Sequence, residues 1–551
     1  MAGRGAFAAQ RRRGVPARAG GRGSSGGGSG TGRQSDPERR PTSLAGQGVQ
    51  RSEVDRFIFV ATVILLLAVS VPLILAPDAG GAAVQSVFDF ITGNFGVLYI
   101  WAAVINLVFL AWLAFGRYGR VRLSNDDSPP EFSTFSWVSM LFCAGIGTGI
   151  LYWGTIEWAY YYDAPPYGVV PRSPEAIEWA TSYPIFHWGV TGWAFYCLPA
   201  LAISYAYFCR GTKSMRLSDN CRAVIGDHAD GALGKVIDLL FMLGLLGAAG
   251  TGIGLAVPLI SSGLSQLLGV ADSFQLDLAV VLAVTAVFAA SVYAGLERGI
   301  RRLSNLNVML TLGLLLFVII VGPTLFILKA GTSSLGHVLQ NFVRMNSWTE
   351  PIGDSGFVET WTIFYWAWWI ALGPYMGMFV ARISRGRTIR EVTFGMLGFG
   401  TAGCALFFMV FGNYALYLEL SEALSVTTML QEEGAPQAII AVVQSLPFSS
   451  IVLPLFCLVC LVFMATTYDS AAYTLALGAT RRLQVGQDPP RWHRLFWAFG
   501  IGVLPVTLMF LDGLTPLQTA SVVVSLPLIA VGVLMAASLV RSLREDQAEG
   551  S

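Results

Sequence analysis

Ala144-Gly145-Ile146-Gly147-Thr148-Gly149 lies in the middle of an apolar stretch, residues 136–155, that is long enough to cross a bilayer. Three glycines at alternate positions are out of place there. Lipid offers no partner for a free N–H or C=O, so backbone at mid-depth is expected to stay helical unless it lines a cavity. Five apolar stretches later, Gly373-Pro374 interrupts residues 360–381 at a similar depth. Two breaks spaced in this way divide the later spans into two five-helix units. Five is odd, so the second unit enters the membrane from the opposite side, giving the inverted-topology repeat of secondary transporters. Each break alone has an ordinary reading, as glycine packing or a proline kink. A second GxGxG at Gly250–Gly254 and a formal dinucleotide fingerprint at Gly398–Gly403, without any βαβ context, show how cheap such patterns are. The matched position of the two breaks is what raises them above that reading.

Working outward, apolar stretches recur near 57–76, 97–115, 136–155, 185–208, 237–268, 279–296, 308–328, 360–381, 394–417, 451–478, 496–511 and 516–540. The chain of 551 residues is 54% hydrophobic and 13% charged, with a mean hydropathy of +0.60. Soluble chains carry about 25% charged residues, which excludes a soluble enzyme or a nucleic-acid binder. Loop charges test the span count independently. With the N-terminus inside, all Lys and Arg except Arg172, Lys329 and Arg344 fall on one face, while Glu419, Glu422, Glu432 and Glu433 fall on the other. Basic loops mark the cytoplasmic side, and one miscounted helix would invert every later loop. The expectation is an all-α polytopic protein of the cell (plasma) membrane, with 12 transmembrane helices and both termini cytoplasmic.

The expected organisation is a disordered basic segment at 1–51, two N-terminal helices within 52–135, and a first repeat at 136–330. An outer loop follows at 331–359, then a second repeat at 360–540 and a short tail at 541–551. Seven Cys in apolar runs suggest neither a disulfide framework nor a zinc site.

Three groups of residues carry candidate chemistry. Trp188, Trp193 and Tyr196 fall on one face of a continuous helix in the fourth span, and Trp361, Trp366, Trp368 and Trp369 precede Gly373. Trp101, Trp158, Trp492 and Trp497 read instead as interfacial belts. Deep indoles suit either core packing or a cage for a quaternary ammonium group, held by cation–π attraction. Thr466 and Thr467 in the tenth span suit back-bonding within their own helix or a seat for Na⁺. Asp469 beside them is a deep acid, hence a candidate proton carrier, ion partner or helix strut. His187 points off the aromatic face and reads as structural.

These residues resemble the betaine/choline/carnitine transporter family. The most specific stretch runs from Trp361-Thr-Ile-Phe-Tyr-Trp366-Ala-Trp368-Trp369 to Phe379-Val-Ala-Arg382-Ile-Ser-Arg385-Gly-Arg387-Thr-Ile-Arg390-Glu391. Supporting matches are Gly145–Gly149, Trp153-Gly154-Thr155-Ile156-Glu157 and Phe186-His187-Trp188 through Trp193 and Tyr196, over about residues 52–545. The resemblance implies a LeuT-like inverted repeat, usually a homotrimer, that moves compatible solutes. It implies an aromatic box of Trp188, Trp193, Tyr196 and Trp369, with Trp366, Trp368 and Leu372 beside it. Gly145, Gly147 and Gly149 would receive the carboxylate. It also implies a sodium site of Thr466 and Thr467 with carbonyls of Cys143, Ile146 and Phe463, and a second from Thr251 and Tyr375. Asn307, where sodium-independent exchangers carry Arg, and Thr467 place the chain with the sodium-coupled branch. Gly149, where choline carriers tend to carry Asp, favours a zwitterion. Leu372 replaces a further Trp of betaine carriers, and the short tail implies no osmotic activation through it.

The reading is a sodium-coupled symporter of a glycine betaine-like zwitterion, with Na⁺ as coupling ion, no organic cofactor and no enzymatic activity. Its rivals are a sodium-independent exchanger of carnitine-type solutes, a choline carrier, and an osmosensor with vestigial transport.

Overall fold

The computed structural model describes residues 53–125, 129–145, 147–212, 216–294, 297–482, 489–511 and 514–549. The segment 1–51 and the expected ligand Ile146 lie outside them. The described chain is almost wholly helical. Its main helices are α1 (Arg56–Leu75), α2 (Pro77–Phe115), α3 (Thr134–Ala144), α4 (Thr148–Asp163), α5 (Pro174–His187), α6 (Val190–Phe208), α7 (Ala232–Leu268) and α8 (Phe274–Ala294). They continue as α9 (Glu297–Val321), α10 (Thr324–Ser347), α11 (Phe364–Ile383), α12 (Ile389–Leu420), α13 (Ala435–Gln444), α14 (Ser449–Gly478), α15 (Arg491–Phe510) and α16 (Thr515–Glu549). The apolar stretches read from the sequence recur as helices, but 136–155, 185–208 and 308–328 are each divided between two, the last bent by 111° between α9 and α10. Among the described residues, 8 helices are long and apolar enough to cross a membrane, or up to 10 if two bent pairs each count as one span. The protein is an all-α, multi-pass membrane protein.

The third span is broken as expected: α3 and α4 meet at 57°, with Gly147 extended at the start of α4. The eighth is not. α11 runs through Gly373-Pro374 without interruption, which corrects the expectation of a second discontinuous helix. The glycines there serve close approach instead. A Cβ at Gly377 would lie 2.9 Å from backbone atoms of Pro199 and Ala200, and one at Gly373 3.0 Å from the Phe195 carbonyl. Small residues thus let α11 and α6 pack backbone to backbone. Irregularity in the second half takes the form of wide π turns, at Val358–Ile363 ahead of α11 and at Met396–Gly400 and Phe408–Gly412 within α12. Gly254 of the second GxGxG is likewise a packing residue, since its Cβ would meet Leu517 at 2.4 Å.

The basic loops converge at one end of the bundle. Leu123 N–H donates to the Arg387 carbonyl at 2.8 Å, and Arg387 and Arg390 donate to the carbonyls of Phe132 and Ala114. Arg210 pairs with Glu545 at 2.8 Å, so residues 541–549, expected as a separate tail, continue α16 and are tied to the end of α6. At the opposite end Arg172 pairs with Asp163 at 2.7 Å, and Arg344 lies 3.8 Å from the ring centre of Tyr167. Segments whose charge placed them on one face therefore touch one another.

A clasp at the basic end fixes the start of α1. β1 (Glu53–Val54) pairs antiparallel with β2 (Thr480–Arg482), which follows α14. Asp55 caps α1, accepting from the N–H groups of Phe57 and Ile58, and pairs with Arg216 at 3.2 Å and Arg481 at 3.0 Å. Burial alone would raise its carboxyl pKa. The Ile58 N–H and the two guanidiniums outweigh that and hold it below the usual carboxylate value. Because the folded pKa is depressed, the stabilisation is complete above the unfolded value of about 3.9 and is lost as pH falls through the folded one. Asp55→Asn keeps the cap, for which Asn serves as well, but loses both ion pairs, and should cost about 1 kcal/mol. The loss is measured as a lower Tm in detergent at pH 7, with the gap from wild type closing in acid.

Candidate functional site

A cavity of about 610 Å³ runs from the break in the third span to the basic end, where Arg382 and Arg494 line it. Most residues expected at the site face it: Gly145, Gly147, Gly149, Trp188, Trp193, Tyr196, Trp368, Trp369, Leu372 and Tyr375, with Cys143, Phe463, Thr466, Thr467 and Asp469. They come from α3, α4, α6, α11 and α14, together with the α5–α6 junction.

The indoles are placed by local backbone. Trp188 does not share a continuous helix with Trp193 and Tyr196, which corrects the single-helix reading. It ends α5, and the extended Gly189 separates it from α6. A Cβ on Gly189 would come within 2.4 Å of the Ile185 carbonyl. The rings converge all the same. Trp188 meets Trp369 edge to face at 4.7 Å, Tyr196 meets Trp369 at 5.7 Å, and Trp193 meets Tyr196 at 5.6 Å. Trp368 and Trp369 stack at 5.0 Å with 12° between their planes. Adjacent residues on a helix diverge by about 100°, so this stack requires side chains that fold toward each other.

Three of the indole N–H groups are tied to carbonyl or carboxylate oxygens. Trp369 Nε1 donates to the His187 carbonyl and Trp368 Nε1 to the Ala248 carbonyl, both at 2.9 Å. Gly192 makes the first bond possible, since a Cβ there would lie 2.9 Å from Trp369 Nε1. Trp188 Nε1 donates to Glu157 Oε2 at 3.2 Å. Satisfied N–H groups leave the aromatic faces, rather than their donors, to meet a ligand, as cation–π binding requires.

The uncapped start of α4 supplies the opposite polarity. No side chain caps it, so the first-turn N–H groups lack helical partners and carry the positive end of the helix dipole. Gly147 has open space where a Cβ would be, and a Cβ on Gly149 would lie 3.8 Å from both Trp188 Cη2 and Trp368 Cη2. An anion-receptive backbone thus sits beside the aromatic faces.

On the far wall, the hydroxyls of Thr466 and Thr467 both donate to the Phe463 carbonyl at 2.9 Å. That is back-bonding, and it leaves their oxygen lone pairs free to accept. Thr148 ties α4 to α14 by donating to the Cys460 carbonyl at 3.2 Å. With Cys143 on the same cavity wall, the donors are neutral hydroxyl and carbonyl oxygens, the chemistry suited to a hard monovalent cation rather than to zinc or calcium. No group of three or more His, Cys, Asp or Glu among the described residues is arranged to hold a metal ion.

Other expected residues lie elsewhere. Trp366 points away from the cavity into a buried cluster with Phe186, His187 and Phe195. Thr251 is an interhelical tie, donating to the Leu517 carbonyl at 2.7 Å and meeting Ser521 Oγ at 2.9 Å, on the α16 side of its helix and apart from Tyr375. Asn307 donates to the Val459 carbonyl at 3.0 Å, bracing α14 from behind. Asp469 is an ion partner: it lies 3.6 Å from Arg494 at the basic end of the cavity. Trp158 and Trp497, expected at the interface, are buried, whereas Trp101 and Trp492 are exposed.

Sequence reasoning missed Glu157, Tyr365, Gly400 and Cys404. The apolar stretch read from the sequence stops at 155, whereas α4 continues to Asp163, so Glu157 does not register as intramembrane. Gly400 is legible only in three dimensions: a Cβ there would lie 2.4 Å from Trp193 ring atoms.

With this geometry in hand, comparison with known proteins gives a direct answer. The profile of the BCCT, betaine/carnitine/choline family transporters matches residues 57–548. A carnitine transporter of Acinetobacter baumannii is 37% identical over 451 residues, covering 81% of each chain. The uncharacterized transporter YeaV of Escherichia coli K12 is 37% identical over 439 residues, 80% of this chain and 91% of that one. The chain belongs to the betaine/carnitine/choline transporter family.

Gly400→Ala should push the Trp193 indole into the cavity, an overpacking cost of about 1–3 kcal/mol. Radiolabelled solute binding should weaken at least about tenfold. Gly398→Ala, whose Cβ meets open space, should bind like wild type.

Proposed function

We propose that this transporter is a sodium-coupled symporter for a zwitterion with a quaternary ammonium head, of the glycine betaine class, working by alternating access. The observation that carries the reading is the shared cavity. Aromatic faces, uncapped backbone N–H groups and the Thr466–Thr467 pair all line one chamber that reaches the basic end of the bundle. A trimethylammonium head is a diffuse cation, too large for tight hydrogen bonding, and aromatic faces attract it by about 0.5–2 kcal/mol each when desolvated. Its carboxylate suits the start of α4. A lone cation such as choline would leave those N–H groups without an anionic partner.

Na⁺, when bound, would supply positive charge between the break in the third span and α14. Thr466, Thr467 and the carbonyls of Cys143 and Phe463 are the residues that would hold it. The chain's own part is to carry these neutral oxygens on α3 and α14, so that ion occupancy and the fit of α3 against α14 would depend on each other. With the basic end cytoplasmic, the cavity is that of an inward-facing state, in a plasma-membrane protein with both termini inside. A homotrimer follows from the family resemblance.

A second reading, sodium-independent exchange of carnitine-type solutes, draws on the Thr148–Cys460 hydrogen bond, which joins α4 to α14 without an ion. Leu372, on the cavity wall, leaves room for such a longer solute.

Uptake of labelled betaine and carnitine into empty proteoliposomes separates the two. Symport predicts uptake that requires external Na⁺ and carries inward current, driven by about 2.3 kcal/mol per charge per 100 mV. Thr467→Ala should abolish the sodium dependence, and Trp193→Ala and Trp369→Ala should each raise KM about tenfold or more. Uptake in potassium alone, without current, would establish the exchanger.

A further inference from the structure

Glu157 is fully buried within α4 and does not line the cavity. It stands one layer behind the aromatic wall, on the side away from the basic end. Three donors converge on its two oxygens. Tyr365 Oη and Trp188 Nε1 donate to Oε2 at 2.7 and 3.2 Å, and Tyr161 Oη donates to Oε1 at 2.7 Å. The network continues outward through His187, whose Nδ1 lies 3.0 Å from Tyr161 Oη and whose Nε2 lies 3.1 Å from Thr362 Oγ1. Nothing in the transport reading above uses this acid.

An ionised carboxylate accepts and never donates, so three inward-pointing O–H and N–H groups are the complement it needs. Indole N–H is a donor only, so Trp188 is bonded correctly whatever the acid's state. No positive side chain is paired with Glu157 at hydrogen-bond distance. His187 is the nearest basic group, 3.6 Å away, and its two nitrogens are occupied as above. A negative charge buried without a cation partner is expensive. Such a carboxyl keeps its proton until a cation on the other side of Trp188 favours the ionised form.

We propose that Glu157 is a specificity-determining, positioning residue: a buried carboxylate behind the aromatic wall that selects solutes with a positively charged head over neutral ones of the same shape. It acts through two routes. Its hydrogen bonds fix Trp188 and Tyr365, the latter stacked on Trp369 at 5.8 Å. Its charge, little screened by water, adds long-range attraction for the head and polarises the Trp188 indole toward it. The wall is then tuned for positive charge and not merely for size.

This rests on the ammonium-binding reading, and the test separates the two. The probes are glycine betaine and 3,3-dimethylbutyrate, which has the same shape and carboxylate but carbon in place of the charged nitrogen. Their dissociation constants are measured for purified full-length protein in sodium buffer. Wild type should prefer betaine. Glu157→Gln keeps the size and one acceptor oxygen, which can serve Trp188 and Tyr365 while the NH2 donates to Tyr161 Oη, but removes the charge, and the preference should fall about tenfold, mostly through weaker betaine binding. Tyr365→Phe keeps the charge and removes one hydroxyl, so its preference should stay within about threefold of wild type even if both affinities drop. It also keeps the idea testable should Glu157→Gln fail to fold. Equal weakening of both probes in Glu157→Gln, which is what a purely structural role gives, would overturn the proposal. So would loss of preference in Tyr365→Phe. Failure of wild type to bind betaine at all would instead overturn the ammonium reading, and this inference with it.

Discussion

An opened helix in the middle of a membrane must satisfy its freed backbone groups somewhere, and that requirement organises the site. α3 ends at Ala144, and α4 begins at Thr148 behind an extended Gly147. The arrangement is tolerable because the opened segment borders a cavity rather than lipid. Glycines make the opening sterically possible and also close the packing around it. A Cβ on Gly145 would strike Cys404 Sγ at 2.6 Å and approach Trp193 at 3.1 Å. The break is therefore a fitted element of the wall, with the start of α4 aimed where the indoles leave space.

The aromatic chamber follows the same logic of placing polar atoms where they do not compete with the ligand. Backbone carbonyls of His187 and Ala248, and the carboxylate of Glu157, take up the N–H groups of Trp369, Trp368 and Trp188. Buried indoles left without partners would cost free energy and would also present donors to the cavity. The chamber that results is apolar in shape and electron-rich on its faces. It is flanked by partial positive charge from α4 and by neutral oxygens from α14. A zwitterion with a diffuse cationic head matches that distribution better than a simple cation or an uncharged solute does.

Much of this was legible in the sequence, for physical reasons that differ by feature. Apolar length and the sidedness of Lys and Arg are one-dimensional signals, so the apolar stretches recur as helices, three of them divided in two, and the basic loops lie together. The break at Gly145–Gly149 was legible because lipid tolerates so few exceptions to a continuous helix. Gly373-Pro374 misled for the same reason: small residues mark either a break or a close contact, and only the position of α6 tells which. Trp188 lines the chamber even though Gly189 ends the helix on which the angular argument relies. Trp366 belongs to the same aromatic run as Trp368 and Trp369, yet it packs against Phe186, His187 and Phe195, partners that the run itself does not reveal. Thr251 and Asn307 carry polar groups that the sequence shows but whose partners, Leu517 and Val459, lie far along the chain. Glu157 went unread because its role is to hold Trp188, Tyr161 and Tyr365, and such second-layer contacts have no sequence spacing.

The central claim is that cation-attracting aromatic faces and the opened backbone act as one pocket whose ligand affinity depends on Na⁺. Tryptophan fluorescence of the purified protein, titrated with glycine betaine in matched sodium and potassium buffers, tests it most directly. The account predicts a saturable change in sodium, and at least about a tenfold weaker affinity in potassium, as coupling of 1–3 kcal/mol implies. Equal affinity in the two buffers would contradict it.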